Sequence, residues 1–264
     1  MLKEKGIFLI DAVYEKNKES FIKKITGLVK KRRIIGYAGY SSRKDLEKNL
    51  LWQVFDENSP DKNFDFDKKK VKKIVKETLR KCLKEVNEKP YVFIFPSYST
   101  FTKLKMGGVG GNFSKRNVML IFVNTSAKMW EYSLKETLCH EFVHIVSPYY
   151  NPWENTIGER IVFEGIAENF QENVLKGRRS IFSKILKEKD CKEIFKKVVN
   201  KINSKNSKEH DRFFYGGKKY KRWTGYSLGY LLIKKYLKKN KNIGWISIIH
   251  KNPNKILEEI RKDL

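Results

Sequence analysis

The chain has 264 residues, 40% hydrophobic and 13% aromatic, which excludes a largely disordered polymer and allows a sizeable core. Its formal net charge of +27 predicts attraction to phosphates, acidic proteins and anionic surfaces, but the lysines are spread through nearly every segment and mark solvated faces rather than one dedicated patch. No stretch approaches the roughly 20 apolar residues that cross a bilayer, and the first apolar run ends at Asp11, so the expectation is a cytoplasmic protein with no signal peptide and no membrane span.

In chain order, Ile7 to Ala12 reads as a short strand, and Lys18 to Lys30 as a helix with Ile22, Ile25 and Val29 at helical spacing. Ile34 to Tyr40 is apolar and punctuated by Gly36 and Gly39. Ser42 opens a helix carrying Leu46, Leu50, Leu51 and Val54, with Asp45 placed to complete a capping box. Ser59 to Asp67, polar and containing Pro60, is the best linker candidate. A basic amphipathic helix follows on Val71, Ile74, Val75, Leu79, Leu83 and Val86.

From Pro90 the pattern changes. Tyr91 to Phe95 and Val118 to Val123 read as two strands with a glycine-rich connection at Gly107, Gly108, Gly110 and Gly111. That cluster is not a Walker loop, because no Gly-Lys-Ser/Thr closes it and no helix opens there; a hairpin or sheet edge is the better reading. After Ser133 the chain reads as mostly helical, broken near Tyr149 to Pro152, Asn203 to Gly217 and Lys251 to Pro253. The pattern as a whole is α+β and mainly helical, divided into an N-terminal, mostly helical region at residues 1–89 and a catalytic part at 90–264. Cys82, Cys139 and Cys191 lack any Cys-x-x-Cys pairing and read as reduced, buried thiols.

The segment with chemical content is His140-Glu141-Phe142-Val143-His144, which holds two of the four histidines. Ser133 with Glu136 three residues on is expected to cap its helix. On a helical wheel Leu134, Leu138, Phe142 and Ile145 fall together, with Cys139, Val143 and Val146 beside them. One polar stripe remains, carrying His140 and His144 one turn apart with Glu141 at its margin. Buried imidazoles need a partner, and Zn2+ supplies it, usually with a third protein ligand and a fourth position left for water.

Glu164 is the candidate third ligand. It lies within Phe163-Glu164-Gly165-Ile166-Ala167-Glu168-Asn169-Phe170, a second apolar helix started either by Asn151 with Pro152 or by Thr156 with Glu159. Glu168 shares its face and is expected to accept the free ring N–H of a ligand histidine. Gly165 and Ala167 are small enough to let this helix approach the first.

His140-Glu141-x-x-His144 followed by Glu164 resembles the gluzincin clan of metallopeptidases. The string from Phe163 to Glu168 and the later Gly225-Tyr226-Ser227-Leu228-Gly229-Tyr230 resemble, more narrowly, the bacterial family of predicted Zn-dependent proteases catalogued as a domain of unknown function. The resemblance covers about Tyr91 to Tyr236 and implies a zincin-like fold with a small mixed sheet packed on the His-Glu-x-x-His helix. It also implies hydrolysis of peptide bonds in a peptide or protein substrate. Phe142 and Val143 depart from the aromatic, histidine or glycine residues that such families often carry there.

In this reading Glu141 is the general base, and a further donor faces the oxyanion. Tyr226 is the candidate, with His210 and Tyr215 competing. The substrate is expected to lie along a sheet edge at Gly107 to Phe113, where Gly108 and Gly110 permit close approach. Two alternatives stand beside it. Glu164, Ala167 and Phe170 also satisfy the Glu-x-x-Ala-x-x-Phe of a phage-repressor-cleaving type of zincin, acting on a regulator. A basic nucleic-acid-binding protein with non-catalytic zinc is the other; with no recognisable nucleic-acid module, binding of that kind would rest on non-specific charge.

Overall fold

The apolar runs around Val92 and Leu120 become the two central strands of a mixed sheet. A computed structural model describes residues 2–4, 7–10, 19–20, 22–23, 27, 43–55, 66–88, 90–115 and 117–263, and the chain divides into two compact units, Met1–Val146 and Ser147–Leu264. Of the expected helix over 18–30, residues 19–20, 22–23 and 27 are described and are helical, while the apolar segment 34–40, Ser42 and residues 59–65 of the linker lie outside the described residues.

In the first unit the strands are β1 (Leu2–Glu4), β2 (Ile7–Ile10), β3 (Tyr91–Pro96), β4 (Val109–Lys115) and β5 (Val118–Val123), in the order β1-β2-β3-β5-β4. β3 pairs parallel with both β2 and β5, while β4 runs antiparallel to β5 and is an edge among the described residues. All six residues of β5 are buried, as expected of a strand covered on both faces.

The expected glycine-rich connection between two strands is therefore corrected. β3 and β5 are parallel, and the chain between them is long enough to cross over while forming a helix and a third strand. The helix is α3 (Thr100–Lys105), started by Ser99, whose Oγ accepts from the Thr102 N–H at 3.3 Å. Gly108, at φ +94°, is part of the turn into β4, and a Cβ there would come within 2.5 Å of Ala127 Cβ and 2.9 Å of the Asn124 carbonyl oxygen.

This unit also contains α1 (Arg43–Val54), α2 (Lys68–Glu85) and α4 (Trp130–Val146). Asp67 caps α2 by accepting from Lys70 N–H at 2.9 Å, and Val71, Ile74, Val75 and Leu79 are buried as the periodicity requires. α4 packs on β4, β5 and α2. It starts at Trp130, not after Ser133: the Ser133 N–H donates to Met129 O at 3.0 Å within the first turn. The buried Trp130 ring extends the helix backwards, and the Ser133 hydroxyl occupies the room left by Gly107, 2.3 Å from where a Cβ would stand.

The second unit is helical: α5 (Ile157–Val174), α6 (Cys191–Val198), α7 (Ser207–Phe214), α8 (Thr224–Lys239), α9 (Trp245–Ile249) and α10 (Pro253–Lys262). Of the two proposed starts for α5, Thr156 with Glu159 forms the capping box: Glu159 N–H donates to Thr156 Oγ1 at 3.2 Å, and Thr156 N–H to Glu159 Oε2 at 2.8 Å. Asn151 instead closes a local turn, accepting from Trp153 N–H at 3.2 Å.

α5 is crossed by α8 at two glycines. A Cβ on Gly165 would lie 2.3 Å from Gly229 O, and one on Gly229 would lie 2.2 Å from Ile161 O. The close approach expected of Gly165 is thus made to α8, and the Gly225 to Tyr230 string is explained in part by packing, since a Cβ on Gly225 would lie 2.5 Å from the Phe214 ring. No helix among the described residues is long and apolar enough to cross a membrane.

All three cysteines are free and buried. Cys82 Sγ and Cys139 Sγ lie 3.6 Å apart, so Cys139 turns toward α2. Burial pushes the Cys191 thiol up to about 11, and since the thiolate is the nucleophile, iodoacetamide labelling should be slow at about pH 8. The rate, followed by mass spectrometry of the Cys191 peptide, should climb roughly tenfold per pH unit toward that value. Labelling at pH 8 as fast as that of an unfolded cysteine would contradict the buried thiol.

Candidate metal centre and active site

α4 buries Leu134, Leu138, Cys139, Phe142, Val143, Ile145 and Val146, leaving the predicted polar stripe. His144 is buried and His140 half-buried, with their Nε2 atoms 3.0 Å apart and their rings edge to face. Two imidazole nitrogens on one tetrahedral zinc, each at about 2.0–2.1 Å, stand roughly 3.3 Å apart. The observed pair is close to that spacing, so it fits a shared cation with little adjustment.

Glu141, also half-buried, lies over β4. A Cβ on Gly111 would sit 2.5 Å from Glu141 Cγ and 2.6 Å from both Glu141 Oε1 and Thr137 Cγ2. The edge strand can therefore run directly beneath this carboxylate only because residue 111 has no side chain. Sequence reading noted Gly111 in the cluster but chose Gly108 and Gly110 as the contact points. The structure puts Gly108 in the turn and Gly110 in the strand, with nothing nearer to its added Cβ than 3.8 Å.

α5 is buried nearly all round, and its polar residues Arg160, Glu164 and Glu168 recur every four positions on one face. Glu164 and Glu168 are each 1% exposed, so neither is a surface carboxylate. Both have partners: Arg160 Nε lies 3.4 Å from Glu164 Oε1, and Ser180 Oγ donates to Glu168 Oε2. Buried carboxylates without such partners would be strongly penalised. His140, His144 and Glu164 form a group whose donor atoms could hold a metal ion. Two imidazoles and a carboxylate are a donor set suited to zinc.

Arg160 was not anticipated from sequence, although its position four residues before Glu164 on one stripe was a readable signal. It is 8% exposed. Besides Glu164 it engages Tyr215, donating from Nη2 to the phenol oxygen at 2.8 Å, and its guanidinium lies 4.1 Å from the Phe214 ring centroid. Burial works against its charge, but Tyr215, Tyr226 and Glu164 more than offset that and hold its pKa well above the ordinary value.

Tyr226 is packed against the rings of Phe182, Phe214 and Trp223 at 5.8, 5.6 and 5.6 Å. Burial, and then the nearby Glu164, push its phenol well above the usual tyrosine value, leaving a neutral O–H. His210 is 3.1 Å from Ser204 O through Nε2, and burial lowers its pKa.

The first unit presents a helix-borne histidine pair beside the edge strand of a mixed sheet. The chain belongs to the family described as predicted Zn-dependent protease (DUF2268), whose model matches residues 71–258. No curated protein and no solved structure matches it.

Proposed function

We propose that this chain is a zinc-dependent peptidase of the gluzincin kind, in which His140, His144 and Glu164 hold the metal and Glu141 is the general base. The observation that carries the reading is the pair of imidazoles on the polar stripe of α4, their Nε2 atoms 3.0 Å apart, with the buried Glu164 as the carboxylate that completes the donor set. Zinc bound there supplies a water of lowered pKa and polarises a carbonyl oxygen.

Everything else is done by side chains of this protein. Glu141 follows His140 directly on α4 and lies over Gly111 of β4, so its carboxylate is at hand to take a proton from water and return it to the departing amine. An extended peptide adds to the β4 edge through main-chain hydrogen bonds, with Gly110 leaving room for its backbone; Gly108 shapes the turn that delivers the strand. Glu168, whose Oε2 accepts from Ser180 Oγ, is assigned to accept the second ring N–H of a ligand histidine and set its tautomer. Tyr215 and Tyr226 stand around the Arg160–Glu164 pair, and one of them donates to the carbonyl oxygen as negative charge develops. The substrate class is peptide or protein.

Elemental analysis tests the reading. Purified protein should carry about one zinc per chain, and His144→Ala should lose it, because a site with one ligand removed holds the metal far more weakly. Dialysis against a chelator should abolish hydrolysis of an unstructured protein such as casein, and added zinc should restore it. Wild-type protein that purifies without zinc and takes none up at micromolar concentration would end the proposal.

A further inference from the structure

The phenol of Tyr215 is the most exposed polar group attached to the Glu164 cluster. The residue is 44% exposed, yet its oxygen is fixed, accepting from Arg160 Nη2 at 2.8 Å. Among the described residues it donates to none, so the O–H proton is unspent and is directed away from the guanidinium. Arg160 is itself held by Glu164 through Nε and by the Phe214 face. A chain of contacts thus runs from the candidate metal ligand through a buried cation to an exposed tyrosine.

The backbone around Tyr215 is equally constrained. The residue closes α7, its N–H donating to Asp211 O at 2.8 Å. Gly216 follows at φ +96°, where a Cβ would stand 3.0 Å from Arg222 N, and the loop returns so that Trp223 N–H donates to Phe214 O at 2.9 Å. Trp223 then meets the Tyr215 ring edge-on at 5.9 Å. Such fixing is what a donor to a developing charge requires, because its orientation cost is met during folding. Tyr226, by contrast, is half-buried against three aromatic rings.

We propose that Tyr215 is the residue that donates to the substrate's carbonyl oxygen during hydrolysis, with Arg160 as the positioning residue that aims it. The inference rests on the peptidase reading above and assigns to Tyr215 the role that sequence gave to Tyr226. Donation by Arg160 into the phenol oxygen also polarises the O–H, strengthening it toward an anionic acceptor. No bond is made or broken by Tyr215; its proton is shared with the oxygen and retained when the carbonyl re-forms.

The test uses the full chain loaded with zinc. Tyr215→Phe should lower kcat about 10²-fold, with KM within twofold, zinc content unchanged and thermal midpoint unchanged. A peptide phosphinate, which mimics the tetrahedral anion, should bind to Tyr215→Phe more weakly by a similar factor in calorimetry, while a product peptide binds as to wild type. Arg160→Lys keeps the charge but loses the fork that serves Glu164 and Tyr215 together. It should lower kcat, and Tyr215→Phe added to it should cost little more, because both act through one proton. Tyr215→Phe within threefold of wild type in both kcat and phosphinate affinity would overturn the inference, as would the same losses appearing in Tyr226→Phe alone. Wild-type protein with zinc but no hydrolysis removes the peptidase reading, and the inference with it.

Discussion

Glu141→Gln should leave about one zinc per chain and remove most hydrolysis, lowering kcat by roughly 10³-fold within the 10²–10⁴ range for a general base. The amide keeps the size of the side chain and its place over Gly111 but cannot take up a proton at neutral pH. At 1.36 kcal/mol per factor of ten, the loss is about 4 kcal/mol of transition-state stabilisation, with KM little changed. Gly111→Ala offers the complementary experiment. Its Cβ would need the space of Glu141 Cγ, 2.5 Å away, and of Thr137 Cγ2, 2.6 Å away, so the carboxylate or the edge strand must move. Zinc should stay bound while kcat falls about 10²-fold, as for a misplacement of about 1 Å. Zinc-loaded Glu141→Gln that cleaves peptide within threefold of wild type would show that the base lies elsewhere.

Gly229→Ala should be the most destabilising small substitution in the second unit. Its Cβ would stand 2.2 Å from Ile161 O, 2.9 Å from Gly165 N and 3.1 Å from Gly165 Cα. All three are backbone atoms, so no side chain can swing aside and the two helices must separate. Overpacking of this kind costs about 1–3 kcal/mol and sometimes more; we expect about 3, a fall in thermal midpoint of roughly 6–12 °C at this chain length. The same separation shifts Glu164, four residues from Arg160 on the displaced helix, so zinc affinity should fall as well. Gly165→Ala meets the same crossing from the other side, 2.3 Å from Gly229 O, and the double variant should lose less than the sum. A Gly229→Ala midpoint within 1 °C of wild type would mean that the helices do not cross this closely.

Where the reading from sequence went astray, the reason lay in information that one chain segment does not contain. Thr156 and Asn151 are both acceptable caps, and a local rule cannot rank them; burial of Ile157 and Gly158 places the helix start at Thr156. Ser133 is a good capping residue by type, but Trp130 gains more by continuing the helix into the core. The pairing direction of β3 and β5 depends on where the intervening α3 and β4 pack, and alternation along the strands is silent on it. Gly108 and Gly111 look alike in sequence, yet one is a turn and the other the floor beneath a carboxylate.

Sequence alone determined the chemistry on offer: two imidazoles one turn apart on an otherwise apolar helix, a carboxylate beside them, and a second apolar helix with Glu164 at its centre. Those features follow from helical periodicity and the cost of burying polar groups, which act over a few residues and can be read locally. Tertiary structure alone decided which groups face one another across the chain. It put Gly111 under Glu141, Gly229 against Gly165, and Arg160 between Glu164 and Tyr215. Such contacts join residues as far apart as Gly165 and Gly229, and they are fixed by excluded volume and by the pairing of buried charge, neither of which has a period in the sequence.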